Sequence, residues 1–253
     1  MGKPWTKEDT IIAYALYCVV PFEKINNSNK TIAAAAKEMD RSPASLKMKM
    51  CNMANLDPDL RASGRIGLDR GITKMDSLVF EEFSTDWEAL SEKAASLISL
   101  DIFDIDEPVY KGPDKNKKHF SEIADKQARK FFRKSVLTAY NYTCCVSGVQ
   151  IPEMLVASHI KPWSDSDKKT ERINPANGLC LNVFYDKAFD RGIMTVDTKY
   201  KIHISRAIEK AYPDDFSKKW LYSLEGESIH LPRRFYPQKD LLEYHNDVIF
   251  IGG

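Results

Sequence analysis

Between Asp101 and Lys118 the chain shows little periodicity of any kind: acids, Pro108, Gly112, Pro113 and a run of lysines follow one another. Proline and glycine at such spacing punctuate regular structure. No single helix or strand is therefore expected to cross this stretch, and the 253 residues divide into two segments, each long enough to bury a core. The division predicts a helical domain over 1–105, a linker over 106–118 and a second domain over 119–253.

Charge follows the same division. The whole chain carries a formal net charge of +1, but residues 1–74 hold 12 basic against 8 acidic side chains, 75–108 hold 1 against 10, and 109–253 hold 24 against 18. Nine of those last cations fall between Lys111 and Lys134. Basic blocks on a near-neutral chain suit phosphate contact on restricted faces, because each neutralised phosphate releases condensed counterions; solvated helix faces have the same composition. No apolar run reaches the roughly 18 to 20 residues that span a bilayer, and the first residues lack the order of a secretory signal, so a cytoplasmic protein is expected. The five cysteines (Cys18, Cys51, Cys144, Cys145, Cys180) show neither a disulfide framework nor paired zinc-ligand spacing. They read as reduced, mostly buried thiols.

In the first segment, Thr6 followed by Glu8 and Asp9 predicts a capped helix through Cys18. The alanine-rich run Thr31 to Met39 predicts a second, and Ser42-Pro43 opens a third. Leu46, Met50 and Met53 then make one apolar face, with Ser45, Lys49 and Asn52 expected to point away from it. Two short helices joined by a tight turn form a helix-turn-helix-like shape, which makes Lys47, Lys49 and Asn52 candidate DNA contacts; an ordinary helical hairpin has the same pattern. A loop or wing is expected over 60–73, and helices over 75–83 and 86–100.

The second segment opens on a long helix over 121–140 carrying Lys126, Arg129, Lys130, Arg133 and Lys134. Lys130 and Arg133 are further candidates for DNA contact. A short strand over 154–157 then leads to His159, a loop contains Asn177, and a helix starting near Asn182 carries Asp186 and Asp190. Hydrolysing a phosphodiester needs a water made nucleophilic and a cation that neutralises developing charge. Imidazole titrates near neutral pH, so His159 suits the first task. A carboxylate is a hard ligand and Mg²⁺ takes one or two of them while keeping waters, so Asp186 suits the second, with Ser158 beside the base as the other expected metal ligand. Asn182, Asp186 and Asp190 lie four apart and are expected on one helix face. Asn177 can donate and accept, and so can tie the loop to the strand that holds the base.

The joined motifs C-x-x-S-G, A-S-H-I-K-P-W, N-P-A-N-G-L-C-L-N and D-K-A-F-D-R-G resemble the HNH (ββα-metal) endonucleases of prokaryotes, many of them restriction-like. The resemblance covers residues 131–196 and extends more weakly to Leu242 through His245 and to a helical domain ahead of the nuclease. It implies an α+β chain in which two antiparallel strands and a helix grip one divalent ion, Mg²⁺ or Mn²⁺. It further implies His159 as general base and Asn177 as the middle catalytic residue of the motif. Asp186 becomes the metal ligand on the final helix, and the products carry a 5′ phosphate and a 3′ hydroxyl. Many relatives have His immediately before the acid; here that residue is Tyr185, whose phenol, with a pKa of about 10, is a poor ligand for magnesium. The expected function is DNA cleavage, in restriction or phage defence, with a homodimer attractive because cutting both strands needs two sites. The alternatives are a DNA-binding protein whose HNH domain has lost turnover, and a nuclease of RNA or of toxin type.

Overall fold

A computed structural model describes residues 3–62, 64, 71–99, 101–103 and 121–252. The expected linker over 106–118 lies outside the described residues, as does most of the loop or wing expected over 60–73, whose first residues, 60–62, instead end a short helix. Among the described residues no helix is long and apolar enough to cross a membrane.

The helical half is built around α1 (Lys7–Val19), whose Thr6 and Asp9 form a capping box. Every residue from Thr10 to Val19 is buried, as expected of a helix that is apolar all round. It packs against α3 (Pro43–Leu56), α5 (Lys74–Ser84), α6 (Trp87–Leu97) and α7 (Ser121–Ala139). Asn29 caps α2 (Lys30–Glu38), and Asp40, with a φ of 54°, turns the chain out of it. Ser42 then caps α3 with Pro43 at its first position.

The expected outward face of α3 is corrected by the structure. Leu46, Met50 and Met53 are buried as the periodicity requires, but so are Lys49 and Asn52. Asp76 of α5 lies 2.6 Å from the Lys49 ammonium and 3.0 Å from Asn52 Nδ2, which also donates to the Gly71 carbonyl. The same carboxylate closes the capping box of α5 with Thr73. A lysine is buried only when its charge is answered, and this one is answered from another helix. Lys49 and Asn52 therefore hold α3 to α5 and offer nothing to a phosphate, whereas Lys47 stays half-exposed.

Past α7, β1 (Leu155–His159) pairs antiparallel with β2 (Gly178–Asn182), with His159 opposite Gly178. α8 (Val183–Asp190) leaves β2 directly and packs back on both strands, completing a ββα unit. Gly178 is there because α7 crosses close by: a Cβ on it would meet Val136 at 2.3 Å and Phe132 at 3.0 Å. A second ribbon, β3 (Met194–Val196) with β4 (Ile202–Ile204), follows. Four short helices complete the described elements, α4 (Pro58–Ala62) between α3 and α5, and α9 (Arg206–Ala211), α10 (Asp215–Trp220) and α11 (Lys239–Tyr244) after β4.

The segments on either side of the undescribed stretch share an interior. Trp87 of α6 lies against Phe131 of α7 and, edge-on at 5.6 Å, Phe235. Arg234 is fully buried: its Nη2 donates to the carbonyls of Cys18 and Val20 at 3.0 and 2.9 Å, and its guanidinium lies over the Tyr17 ring. Tyr17 in turn donates its hydroxyl to Asp57, so the buried cation is faced by a polarised phenol and, behind it, a carboxylate. Arg234→Ala should strand the Val20 carbonyl, leave that of Cys18 only the Thr138 hydroxyl as donor, and open a cavity, costing about 3 kcal/mol. Urea denaturation measures it, and an unchanged midpoint would mean that Arg234 locks nothing.

His245, which follows α11, is 2% exposed; it stacks on Phe189 at 3.7 Å, with Nε2 3.2 Å from the Phe189 carbonyl and Nδ1 2.8 Å from the Thr195 hydroxyl. Burial pushes its pKa down to about 4. The unfolded chain, with an ordinary imidazole near 6.5, then binds the proton more tightly. The stability this residue contributes is complete above that pH and is lost as pH falls toward 4. Between pH 7 and pH 5 the native protein should lose about 2 kcal/mol more than a His245→Gln variant. Equal losses in the two would show that His245 does not titrate on unfolding.

Candidate active site

His159 ends β1 at the mouth of a cleft of about 510 Å³, lined also by Ser158, Trp163, Asp186, Lys187, Asp190 and Arg191. Its ring stacks on Phe132 of α7 with centroids 3.8 Å apart and meets the edge of Trp163 at 5.7 Å. Nε2 lies 2.9 Å from the carbonyl oxygen of Arg172. A carbonyl only accepts, so the ring proton resides on Nε2 and the lone pair on Nδ1. Burial pushes the pKa down to about 4, opposed by the bond to Arg172 and reinforced by the charge of Arg129. At neutral pH the imidazole is therefore uncharged and able to take a proton.

Asn177 is fully buried. Its Oδ1 accepts from the Lys161 backbone at 2.8 Å, and Nδ2 faces the carbonyls of Lys161 and Glu171 and the Ser166 hydroxyl, all within 3.2 Å. With its backbone carbonyl accepting from Ile160, it folds the loop 160–177 back onto β1. This is the tie between loop and strand that its paired donor and acceptor allow. The loop it shapes is what carries the Arg172 carbonyl to His159.

Asn182, expected beside Asp186, instead caps α8: its Oδ1 accepts from Phe184 and Tyr185, and its Nδ2 donates to Ser147. Asp186 and Asp190 line the cleft without it. Burial raises the carboxyl of Asp186, offset by the Ser158 hydroxyl and Lys187; that of Asp190 is raised by burial and by the charge of Asp186. The Ser158 hydroxyl is buried and approaches Asp186 without a hydrogen bond of ordinary geometry, leaving it unpartnered among the described residues. A half-buried carboxylate and an exposed one beside a buried hydroxyl form a hard donor set that a small divalent cation would satisfy. Among the described residues no three His, Cys, Asp or Glu side chains cluster as a metal cage, so most of such an ion's ligands would be water or phosphate oxygens, as magnesium prefers.

Tyr185 is buried, and its hydroxyl donates to the Trp220 carbonyl at 2.7 Å, away from the cleft. Cys144, Cys145 and Cys180 are buried with free thiols. Burial pushes Cys180 up to about 12 and raises Cys145 as well, so these two stay protonated at neutral pH.

The candidate DNA contacts are not brought together. Lys130 lies 2.8 Å from Asp101, and Arg133 donates to the Leu155 carbonyl, tying α7 to the start of β1. Lys47 lies on α3, outside the set that lines the cleft. Three residues around His159 that sequence did not single out are Phe132, Trp163 and Arg172. Trp163 stands within the A-S-H-I-K-P-W motif, which was a signal; Phe132 gave none.

Residues 144–197 match the family model described as HNH endonuclease, the span that contains β1, the loop, β2 and α8. A search of curated proteins found no match.

Proposed function

We propose that this chain, whose residues 144–197 form an HNH endonuclease domain, hydrolyses DNA phosphodiester bonds with the help of a divalent cation. The observation that carries the reading is the held tautomer of His159: with Nε2 committed to the Arg172 carbonyl, Nδ1 is the basic nitrogen in a cleft that also contains Asp186. A water resting on Nδ1 gives up its proton as its oxygen attacks phosphorus, and the bond from phosphorus to the leaving sugar oxygen breaks. Phe132 and Trp163 fix the ring plane and exclude bulk water. Asp186, with Ser158 and Asp190, would hold the cation, which when bound neutralises charge building on the phosphate. Oxygen donors of this kind suit Mg²⁺ or Mn²⁺.

The DNA substrate, a role in restriction or phage defence, and a homodimer that supplies a second site are parts of the same reading, supported by the family resemblance. So is the division into a helical domain and a nuclease domain. Incubating supercoiled plasmid with the protein in Mg²⁺ or Mn²⁺, and again with EDTA, tests the proposal. Nicking that EDTA abolishes is expected. Intact plasmid in both metals would point to a scaffold without turnover, and cleavage confined to an RNA substrate would move the reading to a ribonuclease.

A further inference from the structure

The loop that holds His159 is rich in cations, and most are answered by acids. Lys161 lies 2.7 Å from Glu171, Lys168 3.3 Å from Glu88 and Lys169 3.9 Å from Asp86. Two arginines packed on Trp163, a residue that lines the cleft, are treated differently. Arg129, on α7, lays its guanidinium over the Trp163 ring with Cζ 3.9 Å from the centroid, and Arg172 approaches the same ring at 5.3 Å. Neither has a carboxylate partner among the described residues, and the Arg172 Nε is buried with no acceptor.

Stacking occupies the face of a guanidinium and leaves its in-plane N–H groups available, in the fork that matches the oxygens of a phosphate. A buried N–H without an acceptor is a group that needs one. Trp163 itself lies edge-on to His159, and the Arg172 backbone holds that base. Acceptors for the two arginines would therefore sit next to the reacting phosphate and not at a remote face.

We propose that Arg129 and Arg172, mounted on Trp163, form a clamp for the DNA backbone that grips a phosphate beside the one being cut. The clamp rests on the nuclease reading for the identity of its ligand. It places the backbone grip on the helix before β1 and on the loop after it, so that α7 and the loop 160–177 meet the same strand of DNA.

The test uses the full chain and a short fluorescent DNA duplex in EDTA, where binding is read without cutting. Each of Arg129→Gln and Arg172→Gln should make the slope of log affinity against log salt shallower by about one, and weaken binding several-fold at low salt. Arg129→Lys should restore the slope, since an ammonium also neutralises a phosphate, which a purely packing role would not predict. Melting curves of the variants, run alongside, separate a loss of binding from a loss of fold. Unchanged slopes in both Gln variants, with EDTA-sensitive cutting intact, would overturn the clamp and leave the nuclease reading standing. Arginine-dependent binding by a protein that cuts nothing would support the clamp and remove the nuclease. A native protein that neither binds nor cuts would overturn both.

Discussion

His159→Ala is expected to slow cleavage by a factor of roughly 10² to 10⁴ while leaving affinity for DNA nearly unchanged. The imidazole acts on a proton that moves only in the transition state, so its removal should be felt in the rate and not in ground-state binding. Its neighbours support that separation. The Phe132 ring belongs to α7, and the Arg172 carbonyl is held by the loop that Asn177 ties down, so neither depends on the imidazole for its place. Single-turnover cleavage measured against gel-shift affinity reads both quantities. Cutting at the native rate would sink the assignment of the base, and loss of binding with loss of fold would recast His159 as a packing residue.

Asp186→Ala should remove metal-dependent cleavage almost completely, a loss of about 10³-fold or more, because neutralising the phosphate is worth several kcal/mol. Tyr185→Phe should leave most of it. Neighbours on a helix point about 100° apart, and here the division is plain: Asp186 lines the cleft, whereas the Tyr185 hydroxyl goes to the Trp220 carbonyl. The phenylalanine keeps the ring and gives up one hydrogen bond, worth about 1 kcal/mol of stability. Calorimetric titration with Mn²⁺ beside nicking assays on both variants distinguishes them. A Tyr185→Phe protein as inactive as Asp186→Ala would show that the phenol is chemical and that the ion sits elsewhere.

Local signals in the sequence were read well where the structure uses them locally. The caps at Thr6 and Ser42, the apolar set Leu46, Met50 and Met53, the strand ending at His159 and the helix beginning after Asn182 are all set by neighbours a few residues away. Lys49 and Asn52 were misread because their partner, Asp76, arrives 27 and 24 residues later. Periodicity assigns a face, but it does not say what will cover that face. Asn182 could serve as a helix cap or as part of a polar stripe, and only the turn around Ser147 decides between them. The tautomer of His159 was out of reach for the same reason, since a backbone carbonyl carries no residue name.

The reach of Arg234 has a consequence for the order in which this protein is assembled. The bond from its guanidinium to Cys18 joins residues 216 positions apart, and contacts of such separation are slow to form because the intervening chain must first be ordered. On a ribosome, α1 emerges long before Arg234 does. Until then the carbonyl of Val20, just past its last turn, lacks the guanidinium that the finished protein provides. The interior shared by the helices and the nuclease core is thus sealed only after the whole ββα unit has been synthesised, so a nascent chain stalled short of residue 234 would hold every residue of the cleft through Arg191 without the lock that joins the two segments.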